Sequence, residues 1–411
     1  MTRLRQLVAA DGKRIRPALA LVGRHAAGAG GELRAAHHLA ASPELLHTGR
    51  PRRPPPALTT PDDSPRTEPR GIPVTGPAAA LHPAIDPPVP DLLHPGAEGV
   101  DEDLLSWVGT TGLVTDPGHL RRFHAARFGT FSARTCPRTP LLQLAARWNG
   151  HMWITDDWID DPARDPAEIT RLGADLLAVL TADPLTHRPA CASSAGAASA
   201  GPAAHDSLTA ALGELWGRTA GPMSADWRRR FAGHYRDVFA MTALARRDAG
   251  KGLGLPTYLR RRRNYSGCEV SFDLSEAVNG CELPLAVATA EPYRDVRALA
   301  CHVVAATNDV FSVPRQQDGD GGDHLVAVLA GAAPGDAPAI DRALALIRAL
   351  TDDFLTAADD LRTMRPLFLG SGAADREGWE RVERTLDDLA LWIAGNLRWH
   401  RESHRYLPGH D

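Results

Sequence analysis

"WITDDWIDD", residues 153–161, sets four carboxylates within six positions directly behind an apolar, Trp-rich run. Continued as a helix, it places Asp156 and Asp160 at i and i+4 on one face, with Asp157 and Asp161 as a second pair beside them. Like charges stacked in this way destabilise a helix end unless something offsets them. A solvated acidic terminus before the turn "DPARDP" is one answer. The lead-in of Trp148, Met152, Trp153 and Ile154 favours another, because a core-facing helix that ends in carboxylates points them at the mouth of a cavity. Hard oxygen ligands of this charge suit a divalent cation, and Mg2+ above all where it also holds a substrate phosphate.

Around this stretch the chain reads as helical. Apolar residues recur at helical spacing in "EDLLSWVGTTGLV", "PLLQLAARWNGHMW", "EITRLGADLLAVL", "LTAALGELWGR", "VRALACHVVAATNDVF" and "RTLDDLALWIAGNLRW", whereas alternating strand patterns are nearly absent. The pattern predicts an all-α domain of roughly ten helices over residues 101–411. Before it, residues 48–100 hold fourteen prolines between positions 51 and 95, a composition expected of a linker or disordered segment. Residues 1–47 are Ala- and Leu-rich and helical in pattern. The small, polar stretch 187–207 is expected to be a surface loop within the domain.

Composition narrows the partners. Of 411 residues, 46 are Lys or Arg and 50 are Asp or Glu, so a net charge of −4 gives no general attraction for nucleic acid or anionic membranes. Any site for an anionic substrate must therefore be local. The five cysteines form no CxxC pair, which disfavours a zinc site and fits a reducing compartment. No apolar run reaches the length of a signal core or a membrane span, so a soluble cytoplasmic protein is expected, with room for a homodimer.

A second stripe faces the first in sequence. In "NDVFSVPRQQ" the residues Asn308, Ser312 and Gln316 fall at i, i+4 and i+8 of a helix that follows the apolar run "LACHVVAAT". Together, "DDWID" and "NDVFS" resemble the paired metal-binding motifs of bacterial class I terpene synthases. That resemblance implies an all-α barrel around a central active-site cavity, with three Mg2+ ions and an isoprenyl diphosphate held between the motifs. It assigns Asp156, Asp157 and Asp160 to the first motif and Asn308, Ser312 and Gln316 to the second. Two further stretches extend the likeness. Within "YLRRRRNYSG", Arg262 stands 46 residues before Asn308, the family's interval for the arginine that senses diphosphate. At the end, "GNLRWHRESHRY" resembles the C-terminal segment whose Arg-Tyr pair, here Arg405 and Tyr406, contacts diphosphate.

The implied chemistry is ionisation of an allylic diphosphate followed by cyclization of the carbocation. Such a site must neutralise the departing anion and shelter the cation from water. Metal ligands with Arg262 and Arg405 serve the first need, and aromatic faces the second. By position alone, Trp148, Trp153, Phe311 and Trp399 are candidates for that aromatic role, with ordinary core packing the competing reading for each.

The chain departs from the family pattern at Gln316, where a carboxylate is usual, so the site loses one negative charge. Pro314 lies in the same stripe and threatens to kink the helix before Gln316 reaches the metal. Asp318 and Asp320 lie off that face on a straight helix and do not substitute for it. These departures keep open a catalytically impaired protein with the cyclase fold. The N-terminus adds another reading, since "DGKRIRPALALVGRHAAG" and "AAHHLAASPELLHTG" resemble the start of an isoprenyl diphosphate synthase, with Lys13, Arg16 and His47 at its diphosphate-binding positions. The expected Asp-rich motif does not follow; the chain turns into "RPRRPPP", so a vestigial fragment is expected. A chain-elongating prenyltransferase, favoured only by this N-terminal resemblance, is disfavoured because the second motif reads "NDVFS" and not a second Asp-rich run. The substrate is expected to be geranyl, 2-methylgeranyl or farnesyl diphosphate. "SFDLSEAVNGCELPL", with the Pro-rich extension, is similar to 2-methylisoborneol synthases.

Overall fold

A computed structural model describes residues 87–161, 163–182, 202–248, 252–316, 324–330 and 337–406. The N-terminal readings at Lys13, Arg16 and His47, most of the Pro-rich segment, most of the loop at 187–207, and Asp318 and Asp320 lie outside them. The chain divides into two units between Glu68 and Pro69, and every described residue belongs to the second.

Among the described residues the fold is all helix. Fifteen helices run in order as α1 (Val100–Thr110), α2 (Pro117–Ala126), α3 (Phe128–Thr135), α4 (Leu142–Asp160), α5 (Pro166–Thr181), α6 (Pro202–Thr219), α7 (Ala225–Arg247) and α8 (Leu255–Tyr265). They continue as α9 (Cys268–Val278), α10 (Leu285–Ala288), α11 (Glu291–Gln316), α12 (Leu325–Ala330), α13 (Ala337–Thr363), α14 (Arg365–Gly370) and α15 (Arg376–Glu402). The helical spacing read from the sequence matches the long members; the short α10, α12 and α14 carry too few turns to show a period. Helix α6 begins at Pro202, so the end of the expected loop at 187–207 is already helical.

The packed body starts earlier than residue 101. Leu93 and Ala97 pack against the core residues Val100, Ala133, Leu142 and Ala146, while His94 Nε2 lies 2.8 Å from the Thr139 carbonyl. Asp91 pairs with Arg134 at 3.1 Å. Prolines alone gave that stretch a linker's composition, but its few apolar side chains find a groove.

Helix α15 packs tightly on α3, and the reason is Gly395. A Cβ there would overlap the Arg134 carbonyl, so only glycine permits this approach. On the other side, α9 is held by a buried ionic network. Glu269, Asp273 and Glu276 line one face of α9. Arg230 and His234 of α7 bind Asp273 at 2.9 and 2.6 Å, Arg263 of α8 binds Glu269 at 2.6 Å, and Arg297 of α11 binds Asp273 at 2.7 Å. Burial alone would raise the Glu269 carboxyl, yet the Arg297 and Arg263 guanidiniums hold it down to about 2. The network ties α7, α8 and α11 to one helix, which fixes the segments that carry Arg262 and Asn308.

Candidate active site

Helices α3, α4, α7, α8, α9, α11 and α15 surround a cavity of about 900 Å³, its open mouth included. Its wall is mainly apolar and aromatic, with Phe131, Trp153, Tyr235, Phe239, Tyr265 and Trp392 presenting rings. Asp156, Arg262 and Asn308 line it as well. The sequence thus brings the two motifs and the arginine to one space from three separate helices.

The four carboxylates of 153–161 part company at the end of α4. Asp156 lines the cavity, and burial, then Asp160 and Asp157, push its carboxyl up to about 8 against the opposing pull of Arg405 and Arg262. Asp157 is held by Arg405 in a fork at 2.6 and 3.3 Å. Asp160 is exposed. Asp161 leaves the helix, accepts the Ala163 N–H at 2.9 Å and pairs with Arg164 at 3.3 Å, so it is a turn residue. Arg246 donates to the Ile159 carbonyl, placing a cation at the C-terminus of α4, where the helix dipole favours it.

Across the cavity, Asn308 is oriented by three partners. Arg262 donates to Asn308 Oδ1 at 2.9 Å, and Asn308 Nδ2 donates to Tyr406 Oη at 2.8 Å. Burial pulls His400 down to about 4, and its neutral ring donates from Nδ1 to the Asn396 carbonyl at 2.8 Å. Nε2 is then free to accept from Asn308 Nδ2 at 3.3 Å. Arg262 also forks onto Asp309 Oδ1 at 3.0 and 2.9 Å, and Asp309 Oδ2 accepts the Leu325 N–H at 3.2 Å. Ser312, one turn on, donates to the Asp309 carbonyl at 3.3 Å and lies 3.4 Å from His324 Nε2. Helix α11 runs through Pro314 to Gln316, so the chain does not leave the helix before Gln316, whose side chain lies outside the described part of the structure.

The C-terminal pair also reaches the site. Arg405 lies over the Trp153 ring at 4.6 Å and the Phe128 ring at 5.4 Å, and Tyr406 stacks on His400 with centroids 5.2 Å apart. Of the four aromatic candidates, only Trp153 lines the cavity. Trp148 is fully buried and donates to Thr219 Oγ1 at 2.8 Å, Trp399 donates to the Ala126 carbonyl at 2.9 Å, and Phe311 packs on His400. Sequence position puts an aromatic near a motif; which face it shows depends on neighbours far along the chain. Reasoning from sequence missed Asp309 and His400, although Asp309 is the second letter of "NDVFS".

Among the described residues no group of three His, Cys, Asp or Glu side chains forms a ready-made metal cage. Asp156 on α4 and Asn308 on α11 line the same cavity and offer oxygen donors, and Ser312 stands one helical turn beyond Asn308. That chemistry fits Mg2+, which keeps open positions for phosphate and water and does not require an all-protein cage.

The family model described as "Terpene synthase family 2, C-terminal metal binding" matches residues 147–355, which span both motifs. Over 332 residues the chain is 30% identical to the (+)-T-muurolol synthase of Roseiflexus castenholzii, covering 79% of this chain and 93% of that protein. It is 26% identical to the pentalenene synthase of Streptomyces avermitilis over 329 residues, 78% of this chain and 91% of the other. A solved variant of cucumene synthase superposes with a TM-score of 0.65 at 27% identity, covering 78% of this chain and 100% of that one. The chain belongs to the bacterial class I terpene synthases. It is accordingly a terpene cyclase, a lyase acting on an isoprenyl diphosphate. No helix among the described residues is long and apolar enough to cross a membrane.

Proposed function

We propose that the chain is a Mg2+-dependent cyclase of a linear isoprenyl diphosphate, with farnesyl diphosphate the leading substrate. The observation that carries this reading is the meeting of Asp156, Arg262 and Asn308 on one cavity whose remaining wall is aromatic and aliphatic. Farnesyl diphosphate is favoured because the muurolol and caryophyllene synthases that resemble this chain carry it in their names. Geranyl and 2-methylgeranyl diphosphates are the shorter alternatives.

Asp156, Asp157 and Asp160 would hold Mg2+ on one side, and Asn308, Ser312 and Gln316 on the other. When bound, the ions supply positive charge to the diphosphate oxygens as the allylic C–O bond breaks. Arg262, Arg405 and Tyr406 bind and orient the same leaving group through hydrogen bonds that strengthen as its charge grows. Substrate diphosphate would compete with Asp157 for Arg405 and with Asp309 for Arg262, so binding exchanges internal ion pairs for substrate contacts. The rings of Phe131, Trp153 and Trp392 in the cavity wall exclude bulk water, and Phe131 and Trp392 are the aromatic groups placed to stabilise the cation.

Incubating the purified chain with geranyl, 2-methylgeranyl, farnesyl and geranylgeranyl diphosphates, followed by headspace analysis, tests the reading. A cyclic product from one of the first three supports it. A longer prenyl diphosphate formed on adding isopentenyl diphosphate would point to elongation instead.

A further inference from the structure

Beneath its charged mouth the cavity carries two amides in a mainly apolar wall, Asn149 on α4 and Asn396 on α15. Both are almost completely buried, 4% and 3% exposed. Asn149 Nδ2 donates to Ser132 Oγ at 2.8 Å, which leaves its carbonyl oxygen as an acceptor. Asn396 Nδ2 has no acceptor among the described residues. A buried N–H without a partner costs free energy that a leucine of similar size would avoid.

Depth separates these amides from the diphosphate end. Asn396 precedes His400 by one helical turn and Asn149 precedes Asp156 by two, which puts them roughly 6 and 10 Å below those residues along their helices. An isoprenoid is hydrocarbon beyond its diphosphate, and a carbocation has no lone pair to accept an N–H. Water has both the lone pair that Asn396 Nδ2 needs and the proton that Asn149 Oδ1 can take.

We propose that Asn396 and Asn149 are positioning residues that hold a water molecule inside the cavity, and that this water captures the cyclized cation, making the principal product a terpene alcohol. The inference rests on the cyclase reading above. In the capture step an oxygen lone pair forms the new C–O bond at the cationic carbon. The resulting oxonium gives one proton to the diphosphate already released, so no oxidant or further reactant is needed. Without a held water, the cation ends by losing a proton from carbon and leaves as an olefin.

The test is turnover of farnesyl diphosphate by the full chain with Mg2+ in 18O-labelled water, read as the alcohol-to-olefin ratio. That ratio is measured within one incubation and does not depend on how much protein is folded. The wild type should give mainly alcohol carrying 18O. Asn396→Leu, and separately Asn149→Leu, should shift the ratio toward olefin by at least about tenfold, the factor that one hydrogen bond commands. Inhibition by inorganic pyrophosphate should stay unchanged in Asn396→Leu. Olefin alone from the wild type, or an alcohol fraction indifferent to both substitutions, would overturn the inference while leaving the cyclase reading standing. Weakened pyrophosphate inhibition in Asn396→Leu would also overturn it, because the amide would then serve the diphosphate. A wild type that turns over no isoprenyl diphosphate would sink the cyclase reading, and the water site with it.

Discussion

At the scale of single residues, the division of labour among the four aspartates gives the sharpest expectations. Asp156 lines the cavity and its charge is opposed by burial and by its neighbours, so removing it relieves repulsion while deleting a proposed metal ligand. Asp156→Ala should lower turnover by about a thousandfold or more, a loss of order 4 kcal/mol in transition-state stabilisation, with the melting temperature unchanged or slightly raised. Steady-state kinetics beside a thermal melt would check both halves, and wild-type turnover in Asp156→Ala would remove it from the metal site. Gln316 is the second test. Because α11 remains helical through Pro314, Gln316→Glu adds a carboxylate in register with Asn308 and Ser312. The magnesium concentration for half-maximal activity should fall in that variant. If only the double change of Pro314→Ala with Gln316→Glu alters the magnesium dependence, position 316 does not face the metal in the native helix.

At the scale of elements, two packing devices hold the site walls at their separations. Gly395→Ala forces a methyl group into the Arg134 carbonyl, and backbone cannot yield as a side chain can. The loss should be about 1–3 kcal/mol in urea unfolding, the range for overpacking a close contact. Arg297→Leu leaves Glu269 and Asp273 short of a partner in a buried network, where breaking one side costs roughly 3–5 kcal/mol. The same elements show what the sequence revealed and what it withheld. The periods of α4, α11 and α15 were legible because each is long enough to repeat its apolar spacing over several turns, and the spacing of Arg262 from Asn308 corresponds to a contact of 2.9 Å. The α9 network was not legible. "SFDLSEAVNGCELPL" shows acids at helical spacing, but their partners lie on α7, α8 and α11, and nothing local says that Arg230 or Arg297 turns inward. Trp148 and Trp399 failed as cavity residues for the same reason, since both indoles are committed to polar partners far along the chain.

For the whole molecule, pH reports the burial of neutral imidazoles. Burial pulls His151 and His302 down to about 4, against an ordinary value near 6.5 in the unfolded chain. Between those values the unfolded chain binds protons that the folded chain does not, so stability falls as pH drops from about 6.5 toward 4 and is complete above that window. The loss should be about 3 kcal/mol per histidine across the whole window, and urea midpoints at pH 7.5 and 5 would show the larger part of it. His151→Asn should flatten part of that slope. Removal of residues 1–86 should leave product and melting temperature close to those of the full chain, because the packed body described from residue 87 onward carries the complete proposed site; a large drop in stability would assign the N-terminal segment to the core. The most direct measurement of metal-dependent ionisation is a magnesium titration that follows diphosphate release and cyclic product together from farnesyl diphosphate, in the wild type and in Asp156→Asn. Equal amounts of both are expected from the wild type, rising together with magnesium and abolished by chelation, and almost none from Asp156→Asn at any magnesium concentration. Diphosphate release that is indifferent to magnesium, or that proceeds normally in Asp156→Asn, would contradict a metal-held leaving group at this site.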